Sequence, residues 1–186
     1  MSASAVDGNA VKVGPIALMP GVARFNFWTY MFAAFICIAM LAGMNFLQVY
    51  LLDVHLKIPR SEQGSVTGLL AFYTEIVALL LIVPFGLLAD RIGRRPVVVF
   101  GLLVCGLGYS LFPFAGSVTE LVAYRIVFAV GAAALSALIA TVGNDYTQES
   151  SRGRLFGFSG VMNGLGVIFM SAGLAQIPGV LEGMGY

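Results

Sequence analysis

Five long apolar runs, at about 27–52, 66–89, 96–115, 121–146 and 155–177, alternate with short segments where Gly, Pro and charged side chains collect. An α-helix rises 1.5 Å per residue, so each run is near the roughly 20 residues needed to cross about 30 Å of hydrocarbon. All are too long for buried strands, and none alternates apolar and polar positions as a membrane barrel does. The pattern predicts an all-α integral membrane protein of about five transmembrane helices, with a lipid bilayer as its solvent. Residues 1–26 are polar or mixed, include GPIALMPGVA, and lack the basic start, apolar centre and cleavage site of a secretory signal. They read as an N-terminal tail with the option of a short surface-lying segment, and residues 178–186 read as a second tail.

Composition agrees with this reading. Of 186 residues, 59% are hydrophobic and 10% charged, against about 25% charged in soluble domains. A net charge of +1 gives a nucleic-acid partner no electrostatic support. Cys37 and Cys105 lie inside apolar runs, where a thiol behaves as a small hydrophobe, and neither a disulfide nor a metal site follows from them. His55, in LLDVHLKIPR, is open to two readings, a solvated loop residue or a proton sensor. With no nucleophile beside a base, no phosphate loop and no metal-ligand cluster, the sequence predicts neither an enzyme nor a cofactor.

Cationic residues orient the threading. Lys12, Arg24, Arg91, Arg94, Arg95, Arg152 and Arg154 fall on one side of the five runs, and only Lys57 and Arg60 on the other. Because short cytoplasmic loops retain Lys and Arg, the N-terminus and the second-to-third and fourth-to-fifth loops are expected in the cytoplasm. The C-terminal tail is then expected outside, and the membrane is expected to be a bacterial cytoplasmic (inner) membrane.

The second-to-third connection, GLLADRIGRRPVVVFG, concentrates charge at that boundary. Asp90 at a helix C-terminus meets the negative end of the helix dipole, a placement unfavourable by several tenths of a kcal/mol. Arg91, Arg94 and Arg95 can offset it through paired guanidinium–carboxylate hydrogen bonds. Gly93 suits a tight turn, and Pro96 the first turn of the next helix. The order Gly86, Asp90, Arg91, Gly93, Arg94, Arg95 resembles the loop signature G-x-x-x-D-R-x-G-R-[RK] of the major facilitator superfamily, with every fixed position met. LVAYRIVFAVGAAAL, from Leu121, resembles the fourth-span pattern L-x-x-x-R-x-x-Q-G-x-G-A-A: Arg125 and Gly131 to Ala133 fit, while Phe128 and Ala129 stand at the Gln and Gly positions. SSRGRLFG looks like the fourth-to-fifth connection. The resemblance implies a charge network of Asp90 and Arg94 with an acid at the end of the fourth span, Asp145. It also implies that Asp90 faces a helix of a second bundle. In the fifth span, Leu165 follows Gly164 where drug and proton antiporters of the superfamily often carry paired glycines.

Polar residues inside the runs are the candidate transport groups, since a charge at mid-membrane costs from about 2.5 kcal/mol upward. Glu75 reads as a proton-carrying carboxylate or a packing residue. Arg125 reads as an anchor for an anionic group, for Glu75, or for a neighbouring polar group. Asn45 and Gln48, three apart on one face of the first span, line a cavity or bond between helices; Asn163 invites the same two readings. Gly160 and Gly164, in small-xxx-small spacing, are expected to admit a close helix neighbour.

The implied fold is an incomplete N-terminal six-helix bundle of the major facilitator type, and the implied function is secondary transport of a small solute. Five spans do not make two bundles, so either the chain is a truncated form or a second transmembrane chain completes it. The alternative is a transport-inactive structural subunit of a larger membrane complex.

Overall fold

A computed structural model describes residues 11–175. The chain opens with a two-stranded hairpin, β1 (Lys12–Val13) and β2 (Ile16–Ala17), followed by α1 (Arg24–Tyr50), which winds into a π-helical turn at Leu51–His55. Next come α2 (Arg60–Ile92), α3 (Arg94–Leu111) with a 3₁₀ turn at Phe112–Phe114, α4 (Val118–Tyr146), a 3₁₀ turn at Glu149–Ser151, and α5 (Arg152–Ala175). Among the described residues, five helices are long and apolar enough to cross a membrane.

Helix ends follow local chemistry rather than the limits of the apolar runs. α2 starts at Arg60, six residues before its run, because Pro59 precedes it and the polar stretch Arg60–Ser65 tolerates exposed helix. It ends at Gly93, whose φ of 92° favours glycine. Arg94 then begins α3, with Pro96 in the first turn. α4 opens on a capping arrangement: Ser117 Oγ accepts from the Glu120 N–H at 3.2 Å, and the Glu120 carboxylate accepts from the Gly116 N–H at 2.8 Å.

α4 is the axis of the bundle, packed along α2 and α3, while α1 packs along α5. The two groups meet chiefly along α1 and α4. Without a hydrophobic drive inside lipid, helices associate through close packing of small residues. A Cβ at Gly131 of α4 would stand 2.5 Å from the Cys105 amide nitrogen of α3, and one at Gly108 of α3 2.5 Å from the Phe128 nitrogen. α5 approaches α1 through Gly166, where a Cβ would meet the Phe35 carbonyl at 2.8 Å. Gly160 and Gly164, expected at a close approach, have open space around them instead. They lie on other faces of α5 from Gly166, so their spacing is present but turned away from α1.

The N-terminal segment, which the sequence reads as a tail with the option of a surface-lying segment, has secondary structure of its own in its described part. From residue 11 it is a hairpin bolted to the α4–α5 connection. The Ala17 N–H donates to Ser151 Oγ at 3.1 Å, the Gln148 N–H to Ala17 O at 3.0 Å, and the Met19 N–H to Tyr146 O at 3.0 Å. Ile16 and Leu18 are buried against Phe27, Tyr30, Met31 and Leu155. The expected tail at 178–186 lies outside the described residues.

Candidate functional site

α1, α2 and α4 converge on one buried cation. Arg125, 6% exposed on α4, donates from Nη2 to Asn45 Oδ1 on α1 at 2.7 Å and from Nε to Thr74 Oγ1 on α2 at 3.1 Å. Its guanidinium carbon lies 5.8 Å from the centre of the Phe128 ring, one turn along the same helix and close enough for cation–π attraction. The third nitrogen, Nη1, is buried with no partner among the described residues. No carboxylate stands within ion-pair distance of the guanidinium among these residues. A buried charge without a counter-ion is costly, so this group is poised to accept an additional acceptor.

Gln48 makes a parallel connection. Its Nε2 donates to Thr67 Oγ1 at 3.1 Å. Asn45 and Gln48 are three apart on α1, Thr67 and Thr74 seven apart on α2, so each pair shares a helical face. Two polar rungs therefore join the outgoing and returning helices. The Thr74 hydroxyl also donates to Leu70 O at 2.8 Å, which fixes its lone pairs toward Arg125. Thr67 and Thr74 were not among the residues expected from sequence; their signal is a pair of hydroxyls two turns apart in an apolar run.

Glu75 does not join this cluster: of the readings open for Arg125, the structure shows the neighbouring polar groups, Asn45 and Thr74, and not Glu75. Its neighbour Thr74 faces α4, and a step of one residue turns a helical side chain by about 100°, which points Glu75 away from the bundle. There it is exposed, with no hydrogen-bond partner among the described residues. Gly64, Gly68 and Gly86 fall on the same face of α2 at helical spacing, and a Cβ on any of them would meet nothing within 4 Å.

A cavity of about 350 Å³ opens along the α1–α4 seam and is flanked by α5. Its polar lining includes Ser136, Ser159 and Asn163, its apolar lining Ile38 and Leu41. Leu41 and Ile38 lie one and two turns before Asn45 on α1, and Ser136 lies three turns after Arg125 on α4. The Arg125–Asn45 contact thus stands at the far end of the seam that the cavity occupies. Cys37 and Cys105, both free and buried, also line it.

At the opposite end of the bundle, Arg94 pairs with Asp145 across the α3 and α4 termini. Arg94 is about one-third exposed and Asp145 more so. Asp90 is exposed and forms no ion pair among the described residues, and Arg91 and Arg95 are likewise exposed. Gly86 lies one turn before Asp90 on the open face of α2.

Several known proteins are similar to this chain. Magnetosome protein MamH of Paramagnetospirillum magneticum is 28% identical over 151 residues, 77% of this chain and 35% of that protein. Inner membrane transport protein YajR of Escherichia coli is 35% identical over 83 residues, 45% of this chain and 18% of that protein. The class H tetracycline resistance protein of Pasteurella multocida is 34% identical over 100 residues, 54% of this chain and 24% of that protein. The chain matches at most about a third of the length of these relatives. The profile of the Major Facilitator Superfamily matches residues 30–177. That match runs from the second turn of α1 through the whole described length of α5 and takes in the two helices that hold Arg125 and Asn45; the chain belongs to the Major Facilitator Superfamily.

Proposed function

We propose that this chain is the N-terminal portion of a secondary transporter for a small solute, and that the α1–α4 seam is its half of the solute path. The observation that carries the reading is Arg125, a buried cation held by Asn45 and Thr74 with one nitrogen still without an acceptor among the described residues. A solute bearing a carboxylate, phosphate or carbonyl would supply that acceptor. Asn45, Gln48 and Asn163 are then solute-facing groups, and Glu75 the coupling carboxylate. Asp90, Arg91, Gly93, Arg94, Arg95, Asp145 and Gly86 form the gating end, with the N-terminus on the cytoplasmic side of an inner membrane. The names of the relatives, an inner membrane transport protein and tetracycline resistance proteins among them, support transport.

Proteoliposomes containing the purified chain, assayed with a panel of labelled anionic and neutral solutes under an imposed proton gradient, test this. Uptake that wild type sustains and Arg125→Gln loses supports the site. Uptake indifferent to Arg125→Gln places the path elsewhere.

A second reading, a transport-inactive subunit of a larger membrane complex, is favoured by the open face of α2. An acid at membrane depth belongs against protein or water rather than lipid, and Gly64, Gly68 and Gly86 leave room there for another helix. Purification from native membranes separates the two: a stoichiometric partner of unrelated chemistry supports the subunit, and a partner with a further bundle of transmembrane helices supports the carrier.

A further inference from the structure

A second cavity, unconnected with Arg125, lies where the N-terminal hairpin, the start of α1 and the start of α5 meet. It encloses about 440 Å³. Its floor is a single stripe of α5: Arg154, Phe158 and Val161 at positions i, i+4 and i+7. Trp28 and Phe27 form a second wall; their rings lie 6.5 and 6.4 Å from that of Phe158. The hairpin turn closes the third side, and the Arg154 Nη1 donates to the Pro15 carbonyl at 2.9 Å. That bond fixes the guanidinium at the mouth of the groove. Its other nitrogens have no carboxylate within ion-pair distance among the described residues.

The groove therefore has one cationic end and one greasy end. Val161 is seven residues beyond Arg154, about 10 Å deeper along the helix axis, and is exposed. Trp28 is exposed and lies only four residues into α1, and amphipathic rings near the ends of membrane-spanning helices collect at the membrane–water boundary. Charge in the flanking segments is one-sided: residues 11–28 and 149–161 contain Lys12, Arg24, Arg152 and Arg154 against the single acid Glu149. We propose that this groove is a site for one anionic phospholipid, its phosphate on Arg154 and an acyl chain laid over Phe158 and Val161. Basic pockets between transmembrane segments at the headgroup level select anionic lipid in this way. The bound lipid would brace the hairpin against α5, because its phosphate and the Pro15 carbonyl share one guanidinium.

The test uses the full chain, purified in mild detergent and stripped of lipid. It is then offered phosphatidylglycerol, phosphatidylcholine with the same acyl chains, or glycerol 3-phosphate, with retention read by native mass spectrometry. Phosphatidylglycerol should be retained at one per chain and about fivefold more strongly than phosphatidylcholine, the factor expected from one interfacial arginine. Arg154→Gln should remove that preference. Val161→Trp, which fills the groove without touching the hairpin bond, should lower retention of both lipids. Equal retention of the two lipids by wild type would overturn the proposal, as would wild-type retention by Val161→Trp. Competition by equimolar glycerol 3-phosphate would show an anion site rather than a lipid site and would overturn it too.

Discussion

Arg125 on α4 and Asn45 on α1 are joined by a 2.7 Å hydrogen bond that ties the two halves of the bundle together across their common seam. Asn45 is itself exposed, so the stability at stake resides in the guanidinium it satisfies. Asn45→Ala leaves a second Arg125 nitrogen without an acceptor, and a buried unsatisfied group costs about 1–3 kcal/mol. Thermal unfolding in detergent should show a loss of that size. Asn45→Asp, which supplies a counter-charge, should recover it or raise stability above wild type.

The Arg94–Asp145 pair behaves differently because water reaches it. With side chains 32% and 44% exposed, it falls in the class of ion pairs worth about 0.2–1 kcal/mol. Arg94→Ala, Asp145→Ala and the double variant, compared as a thermodynamic cycle, should give a coupling energy within that range that shrinks in high salt. A coupling of several kcal/mol would mean that the pair is desolvated by further protein in the working assembly.

The α3–α4 contact is set by glycine more than by large side chains. Gly131→Ala places a methyl against α3 backbone, which cannot move aside, and overpacking of this kind costs about 1–3 kcal/mol. Gly160→Ala and Gly164→Ala, with open space at both sites, should change the melting temperature little. The contrast is measurable on the three single variants side by side.

These glycines also show where sequence reasoning stops. Run length alone identifies the five helices, because hydrocarbon thickness and helix rise fix the same number. The α2–α3 turn is legible as well, since Asp90, Gly93 and Pro96 each impose a local constraint. Spacing cannot say which face of α5 meets a neighbour; Gly160 and Gly164 have the right interval, yet Gly166 makes the contact. Sequence does not single out Thr67 and Thr74 as cross-helix groups, because a threonine in an apolar helix ordinarily bonds its own backbone four residues back, as Thr74 also does. The hairpin was invisible for another reason: its strands are two residues long, and the bonds that hold it reach residues more than 125 positions away.

Leu18 is the anchor of that hairpin. It is fully buried and pairs with Thr147 in an isolated bridge. Leu18→Ala should cost about 2–5 kcal/mol if the hairpin stays in place around the cavity, and less if the segment detaches. Limited proteolysis decides between the two: detachment exposes the backbone around Pro15 to cleavage, whereas a retained hairpin stays protected at a lower melting temperature.

Glu75 supplies the sharpest distinction between stability and function. It has no partner among the described residues and points away from the bundle, so Glu75→Gln should leave the unfolding free energy of the isolated chain within about 0.5 kcal/mol of wild type, as for other unpartnered surface changes. A coupling carboxylate is a different matter, because glutamine keeps its size and loses its proton. In reconstituted transport, Glu75→Gln should abolish the dependence of uptake on a proton gradient while solute exchange continues. Unaltered pH dependence would remove Glu75 from the coupling step and leave its open face on α2 as a contact for another helix. In that case Gly68→Leu, one face-repeat along the same stripe, should weaken co-purification with the partner chain while sparing the fold.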